Sequence, residues 1–535
     1  MRLLALNSLD YAIILGYLAA ILLVGYRLRK RMVTTTQFFL AGRSLPVLVT
    51  GIAFMAANCG ALEIMGMVAT SAKYGARANH FYWLGAIPAM LFLALFMMPI
   101  YYRSRVRSVP EFLKLRYGEP TRAFNALSFA TMMILVSGIS LYAMAIVLGI
   151  VLGWGFTTSV LVAAAVVLVY IVLGGLTASI YNEVLQFVLI VVGLAPLAFY
   201  VLREFHGWQG LAAALPVDLR HTWQGLPAAN PLGSAMDGVG NVLGLGFVLS
   251  FGYWCTDFLL IQRALAAKDV RAAVETPLVA AVAKLFFPAL VVLPGLAAVA
   301  LYPGSLATRY DLALPNLMVR YYSHGLLGLG VTAMLASFMS GMAGNVTAFN
   351  TVFTYDLYQA YLAPGRSDRH YLTVGRVATV AGTALSIGTA FIVLRFNNLM
   401  DYVQLLFSFF NAPLFATFLL GMFTLWATPA GGLAGLVTGT LAAIAHYLAY
   451  RFHWLPYGSE MGANFYGAIC AWCVCFLVTA GVSCVTPRKP VEELQGLVYT
   501  STVGAEEARG ARMKQAWVFA GLVVVGLLIL NWIFY

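Results

Sequence analysis

The chain has 535 residues, of which 61% are hydrophobic and only 10% charged, with a mean hydropathy of +0.86. A water-soluble domain of this length needs a charged shell that such a composition cannot supply, and apolar runs repeatedly reach the roughly 20 residues that cross a bilayer core. The net charge of +12 falls between those runs, as membrane topology requires, which argues against nucleic acid as a partner.

Fourteen spanning segments are predicted, near 9–27, 45–70, 79–102, 122–152, 156–174, 179–204, 236–264, 274–303, 325–361, 371–395, 400–426, 430–451, 463–486 and 514–535. The first apolar run, Tyr11 to Tyr26, is followed by Arg27, Arg29, Lys30 and Arg31 and lacks an Ala-x-Ala site. It therefore reads as a spanning helix, not a cleavable signal. Basic residues cluster in 27–44, 103–122, 263–271, 366–376 and 487–514. With fourteen helices and the amino terminus outside, all of these loops fall on the cytoplasmic side. A multi-pass protein of the cell (inner) membrane with both termini outside is expected.

The longest connections, 205–235, 304–324 and 487–513, are too short for a soluble catalytic or signalling domain. The last mixes Glu492, Glu493, Glu506 and Glu507 with basic residues and reads as a solvated loop with a short surface helix. The cysteines Cys59, Cys255, Cys470, Cys473, Cys475 and Cys484 lie in apolar segments, without zinc-site or disulfide spacing. The group at 470–475 reads as small apolar packing.

Two segments look interrupted. In segment two, Gly51, Asn58, Gly60, Glu63 and Gly66 break an apolar run around Ala56-Ala57-Asn58-Cys59-Gly60. In segment seven, Gly244, Gly246, Gly252 and Tyr253-Trp254-Cys255-Thr256-Asp257 do the same. These segments are five helices apart, the arrangement of inverted repeats whose discontinuous helices carry the binding site near the midplane. Glycines alone would equally serve close helix packing, but here polar groups accompany them.

Ionisable residues inside spans are costly, so each is a functional candidate: Glu63, Glu183, Asp257, Lys284 and, near a helix end, Asp401. Glu63 and Lys284 sit well inside their runs, and either charge needs a partner, each other or substrate. Apolar residues on both sides of Lys284 argue against snorkelling. Asp356, near the inner end of segment nine, reads as a capping or gate residue. Segment nine also carries Ser337, Ser340, Gly341, Gly344, Asn345 and Thr347, a stripe that suits either an oxygen cage for Na+ or plain helix packing.

Rival classes lack their signatures. There is no His-Glu-x-x-His, Gly-x-Ser-x-Gly or P-loop motif for an enzyme, no soluble output domain for a sensor, and no repeated filter segment for a channel.

The chain carries Phe39-Leu-Ala-Gly-Arg-Ser-Leu-Pro46, Ala56-Ala-Asn58, Val109-Pro-Glu-Phe112, Gly174-Gly-Leu-Thr177 and Asn182-Glu-Val-Leu-Gln186. Then follow Tyr253-Trp-Cys-Thr-Asp257, Gln262-Arg263, Leu293-Pro-Gly295, Phe353-Thr-Tyr-Asp-Leu-Tyr358, Tyr402-Val-Gln404 and Phe418-Leu-Leu-Gly421. In this order and at these positions they resemble the sodium:solute symporters, and within them the sodium/glucose-type cotransporters, along most of the chain. The resemblance implies an all-α membrane protein with a LeuT-type five-plus-five inverted repeat. One extra helix (9–27) precedes repeats at 45–204 and 236–426, and three more helices occupy 430–535. It also implies uptake of a small solute driven by Na+, by alternating access, with a monomer as the expected functional unit.

Carried over residue by residue, the resemblance places Na+ on the carbonyls of Ala56, Cys59 and Ser337 and on two adjacent hydroxyls. Ser340 supplies the first, and Gly341 stands where the second belongs. The lost ligand implies a weak, millimolar-range Na+ dependence that Gly341→Ser should strengthen, with H+ carried by Glu63 as the alternative coupling. Of the sugar-holding positions, Asn58, Lys284 and Gln404 match, and Tyr253 matches the inner-gate aromatic. Glu63 replaces an amide, Tyr82 an acid and Ser250 an asparagine. A carboxylate, a lysine, two amides and an aromatic face suit a sugar or sugar-like solute, with another organic solute as the alternative. Glu63 disfavours a net-anionic substrate unless Lys284 neutralises it.

Overall fold

A bilayer interior offers no hydrogen-bond partners, so a spanning segment must satisfy its own backbone, and helices do this without an edge. The computed structural model describes residues 6–28, 41–230, 236–304, 309–396, 398–499 and 511–535. Arg29, Lys30, Arg31, Phe39 and the acidic pair Glu506 and Glu507 therefore lie outside the described residues, as does the side chain of Thr177. Every regular element described is helical, apart from one isolated bridge between Leu45 and Ala267.

The chain runs through α1 (Ser8–Leu28), α2 (Val47–Asn58), α3 (Leu62–Asn79), α4 (Phe81–Arg103), α5 (Val109–Tyr117), α6 (Glu119–Leu152), α7 (Phe156–Glu204) and α8 (Gly240–Thr256). It continues through α9 (Phe258–Leu265), α10 (Val270–Leu301), α11 (Leu326–Leu362), α12 (Asp368–Val393), α13 (Leu399–Phe423), α14 (Pro429–Arg451), α15 (Glu460–Val485) and α16 (Ala511–Ile533). Among the described residues, ten helices are long and apolar enough to cross a membrane, and the bent pairs α2/α3 and α8/α9 bring the number to twelve. The expected first and fifth spans correspond to the shorter apolar helices Ser8–Val24 and Phe156–Val169. Fourteen crossings thus remain an expectation of the sequence. The 49 residues of α7 cover both the fifth and sixth predicted spans. Drawn straight, such a run would measure about 73 Å, more than twice a bilayer core.

Burial separates the bundle into layers. The most apolar window of α11 is 89% buried, whereas that of α16 is 22% buried and offers its side chains to lipid. The connections gather on two faces. On one, Asp10 at the start of α1 accepts from the backbone N–H groups of Gly325 and Gly328, and Arg320 pairs with Glu204 at 2.6 Å. Tyr535 accepts from the N–H groups of Trp223 and Gln224, so the start of α1 and the end of α16 share this face. On the other face the basic connections interlock: Arg43 donates to Val106 O, Tyr102 to Ala267 O, Arg107 to Gln359 and Lys489 to Leu115 O. There α5 opens on a reciprocal cap, Ser108 Oγ accepting from Glu111 N–H while Glu111 accepts from Arg107 N–H. A short helix at Val491–Leu494 fulfils the expectation for the last loop.

Two buried ion pairs tie the helices together. Arg122 donates to Asp356 at 2.8 Å and to Tyr355 O, joining α6 to the end of α11. Arg263 Nη2 lies 2.5 Å from Glu183 Oε1, with both residues fully buried, and Ser179 donates to the same oxygen. Removing one partner of such a pair strands the other charge, at a cost of about 3–5 kcal/mol. Glu183→Gln should therefore lower the melting temperature of the purified protein markedly. Replacing both residues with apolar ones, Glu183→Leu with Arg263→Met, should recover most of the loss. A thermal denaturation series in detergent checks both outcomes.

Candidate functional site

The helix that begins at Val47 stops at Asn58, and the chain turns by 60° before α3. Cys59 leaves the helical basin at φ −74°, ψ 44°, and Gly60 N–H bonds back only two residues, to Asn58 O at 2.8 Å. The break frees carbonyls, and α11 meets them with hydroxyls. Ser337 Oγ donates to Cys59 O at 2.6 Å, and Ser340 Oγ donates to Ala56 O at 3.2 Å. Ser337 O also stands here, 3.9 Å from where a Cβ on Gly60 would lie. The four groups named for Na+ thus converge at one place. Neutral oxygens without thiolate or imidazole suit a hard cation of low charge. No cluster of three or more His, Cys, Asp or Glu side chains offers a competing metal site among the described residues.

Gly341 shows why the second hydroxyl is missing. A Cβ there would stand 3.0 Å from Gly60 Cα and 3.2 Å from Ser140 Oγ, so the helices pack through two glycines. Beside the hydroxyl that Gly341→Ser would add stands a packing term of opposite sign: Gly60 or Ser140 would have to give by a few tenths of an ångström to admit the Cβ. The rest of the polar stripe divides. Gly344 packs against Leu259 and Arg263, Thr347 Oγ1 bonds within its own helix, and Asn345 turns to the cavity beside the break.

All seven residues expected to hold solute line that cavity: Asn58, Glu63, Tyr82, Ser250, Tyr253, Lys284 and Gln404. Three of the elements concerned carry widened π-type turns, at Leu62–Gly66, Phe81–Ala86 and Gly240–Leu249. Such turns re-aim side chains and concentrate at functional sites. At the centre, Lys284 Nζ donates to Asn58 Oδ1 and to Glu63 Oε1, both at 2.5 Å. The ammonium also lies within 5.0–5.4 Å of the ring centroids of Tyr82, Phe287 and Trp254. A buried lysine is thereby held by charge, by an amide and by ring faces together. Asn58 donates in turn to Tyr253 OH at 3.2 Å, and Tyr253 stacks on Phe407 with centroids 4.7 Å apart. Gln404 Oε1 has no hydrogen-bond partner, while Ser250 Oγ packs where a Cβ on Gly85 would collide.

The other buried ionisable residues stay out of the cavity. Asp257 sits at the second break, where the bend is 46°, and caps α9 by accepting from Leu259 N–H at 2.9 Å. Asp401 pairs with Lys73 at 2.7 Å, and Glu183 is taken by Arg263. Sequence reasoning did not single out Ser140, Phe287 or Phe407 as part of the site. Each is one apolar or small residue in a long apolar span, and only the fold turns it inward.

Two discontinuous helices facing a buried polar cavity define a secondary transporter of the alternating-access kind. The chain belongs to the sodium:solute symporter family, whose model matches residues 38–439. Its relatives include sodium/glucose cotransporter 4 of Danio rerio, 27% identical over 94% of this chain and 82% of that protein. The sodium/glucose cotransporter of Vibrio parahaemolyticus is 28% identical over 85% of this chain and 88% of its own length. Among solved structures, a Na+-coupled sialic acid symporter in a substrate-bound, outward-open state matches 90% of this chain and 99% of its own, with a TM-score of 0.77 at 19% identity. A nucleobase-cation-symport-1 family transporter matches 86% of this chain and 97% of its own, with a TM-score of 0.53 at 13% identity. The fold is accordingly the LeuT type, and the protein is a Na+-coupled solute symporter of the membrane, not an enzyme.

Gly341→Ala isolates the packing role of the glycine contact. Overpacking of this kind costs about 1–3 kcal/mol. The variant should melt at a lower temperature than the parent and should lose part of any stabilisation by Na+, measured by thermal denaturation with and without the ion.

Proposed function

We propose that the protein takes up a neutral, polyhydroxylated solute, a sugar or a sugar-like ring, together with Na+. The observation that carries this reading is the Lys284–Glu63–Asn58 cluster. The pair sums to zero charge, which favours a neutral solute, yet it offers a strong donor beside strong acceptors. Gln404 adds an amide oxygen without a partner, and Tyr253, Trp254 and Phe407 supply flat apolar walls to the same cavity. Hydroxyls spaced around a ring answer the polar groups, and the C–H faces of that ring answer the aromatic ones. The names of relatives support this choice, among them a sodium/myo-inositol cotransporter 2 of Rattus norvegicus, 28% identical over 83% of this chain and 70% of that protein.

In this reading Na+ sits on the carbonyls of Ala56, Cys59 and Ser337 and on Ser340 Oγ, directly behind Asn58. Proton coupling through Glu63 is disfavoured, because protonating Glu63 would leave the Lys284 charge without its partner. The two five-helix repeats occupy 45–204 and 236–426, each beginning with a broken helix, flanked by 9–27 and 430–535. The face carrying the basic connections is cytoplasmic by the positive-inside rule, so both termini lie outside. A monomer is the functional unit.

Reconstituted vesicles test the reading. Uptake of a sugar first identified by a thermal-shift screen should follow an imposed Na+ gradient and ignore an imposed H+ gradient. Uptake that follows only the proton gradient would sink the sodium assignment. Glu63→Gln, like Glu183→Gln, should lower the melting temperature, and in the protein that remains folded should cut uptake of the neutral solute by at least about tenfold, since the Lys284 charge is then uncompensated and the strongest acceptor is lost. The same variant should gain response to acidic solutes. Unchanged selectivity in well-folded variant protein would place Glu63 outside the solute contacts.

A further inference from the structure

The loss of a hydroxyl at Gly341 raises the question of what completes the oxygen set around the ion. Most hydroxyls buried in these helices are occupied: Thr332 bonds Gly328 O, Thr347 bonds Ala343 O and Ser386 bonds Gly382 O, each reaching back one turn, while Thr121, Ser137, Ser159 and Thr479 stay unpartnered among the described residues and outside the cavity. That is the ordinary fate of a helical Ser or Thr with no other partner. Ser140, in the middle of α6, does not follow it. The residue is 4% exposed, it lines the cavity, and among the described residues its hydroxyl makes no hydrogen bond. The oxygen lies 3.2 Å from where a Cβ on Gly341 would stand, on the side of Gly341 that faces the break. That same Cβ position is 3.0 Å from Gly60 Cα, one residue from Cys59 O.

An unpartnered hydroxyl thus points at the position from which the family's second serine would act, but it comes from a different helix. The two features are mutually dependent. A side chain at 341 would displace Ser140 Oγ, and the glycine at 341 opens the space through which Ser140 looks at the break. We propose that Ser140 is a Na+ ligand, its hydroxyl replacing across helices the one that Gly341 cannot supply. This rests on the sodium site proposed above and adds a group from α6 to a set otherwise drawn from α2, the break and α11. A neutral oxygen donor costs nothing in charge and suits a hard cation as well as the serine it replaces. In this arrangement Na+ holds three elements together, and α6 becomes part of what the ion locks.

The test uses the purified full chain and needs no transport. Its melting temperature is titrated with NaCl at constant ionic strength, choline chloride making up the balance, so that the half-saturating Na+ concentration is read directly. Ser140→Ala removes one oxygen from a small side chain and should fold as well as the parent. Its half-saturating concentration is expected to rise about tenfold, the loss of one good polar contact. Ser140→Thr keeps the hydroxyl and should stay within about threefold of the parent. Ser137→Ala, which removes a buried unpartnered hydroxyl from the same helix outside the cavity, should leave the titration unchanged.

If the parent responds to Na+ and Ser140→Ala responds with the same half-saturation, the inference fails and the sodium site stands. If Ser140→Ala loses a solute-induced shift but keeps the Na+ titration, the inference also fails, and Ser140 belongs to the solute. If the parent shows no response to Na+, the proposed sodium site and the inference fall together.

Discussion

The meeting of Gly60 with Gly341 is the contact on which the rest of the site depends. An unwound backbone inside a membrane is tolerated only where protein or a cavity covers it, because its freed carbonyls have no water to accept from. Here α11 provides the cover by coming close enough for Ser337 and Ser340 to reach Cys59 O and Ala56 O. A Cβ at either glycine would stand 3.0–3.1 Å from the other's Cα, so the helices would have to give by a few tenths of an ångström. The close approach satisfies the break without the ion, and it gathers the oxygens that an ion would use. Hydroxyls that donate to carbonyls in one state can turn their lone pairs to a cation in another, so the same pair of glycines serves both.

Charge follows a second constraint. A carboxylate or ammonium inside a span is sustained only by a partner, and each of the deeply buried acids has a different one: Lys284 for Glu63, Arg263 for Glu183, Arg122 for Asp356, Lys73 for Asp401 and a helix N-terminus for Asp257. Four of these five arrangements join distant helices or cap a break. The Glu63–Lys284 pair opens onto the cavity that Asn58, Tyr253 and Gln404 also line, whereas Asp401 faces a separate cavity beside Arg395 and Glu460. The distinction of the Glu63–Lys284 pair is therefore its surroundings, not its chemistry.

Much of this was legible in the chain. Interrupted apolar runs with polar companions located both breaks, and the seven solute positions carried over by motif all reached one cavity. Glu63 and Lys284 identified themselves as charges with nowhere to go. What was not legible depends on distances between helices. Ser140 is one serine in a 34-residue helix, and nothing in its neighbours distinguishes it from Ser137. Glu183 read only as an ionisable residue without a partner in its span, because Arg263 lies 80 residues away and only packing brings them to 2.5 Å. Gly341 read as a missing ligand, and the fold shows it is also a required gap. The count of spans was the weakest inference, since the run Phe156–Glu204 carries two predicted crossings without a gap in its helical character.

The two proposed sites are separated by a single peptide unit, and this gives coupling a physical form. The side chain of Asn58 accepts from Lys284 and donates to Tyr253 in the solute cavity, while the carbonyls two residues before it and one residue after it face α11. An ion drawn onto those carbonyls fixes the turn at Cys59, and the turn fixes the direction of Asn58. A solute that replaces Tyr253 or Lys284 as the partner of Asn58 fixes the same turn from the other side. Neither ligand needs to touch the other, because both stabilise one backbone conformation of residues 56–60. The free energy of that coupling is necessarily reciprocal: whatever factor Na+ contributes to solute affinity, the solute contributes to Na+ affinity. A break that was rigid without ligands would transmit nothing. The turn closed by the Gly60-to-Asn58 bond and met by Ser337 and Ser340 is one backbone conformation that either ligand can favour, which is what a coupling element requires.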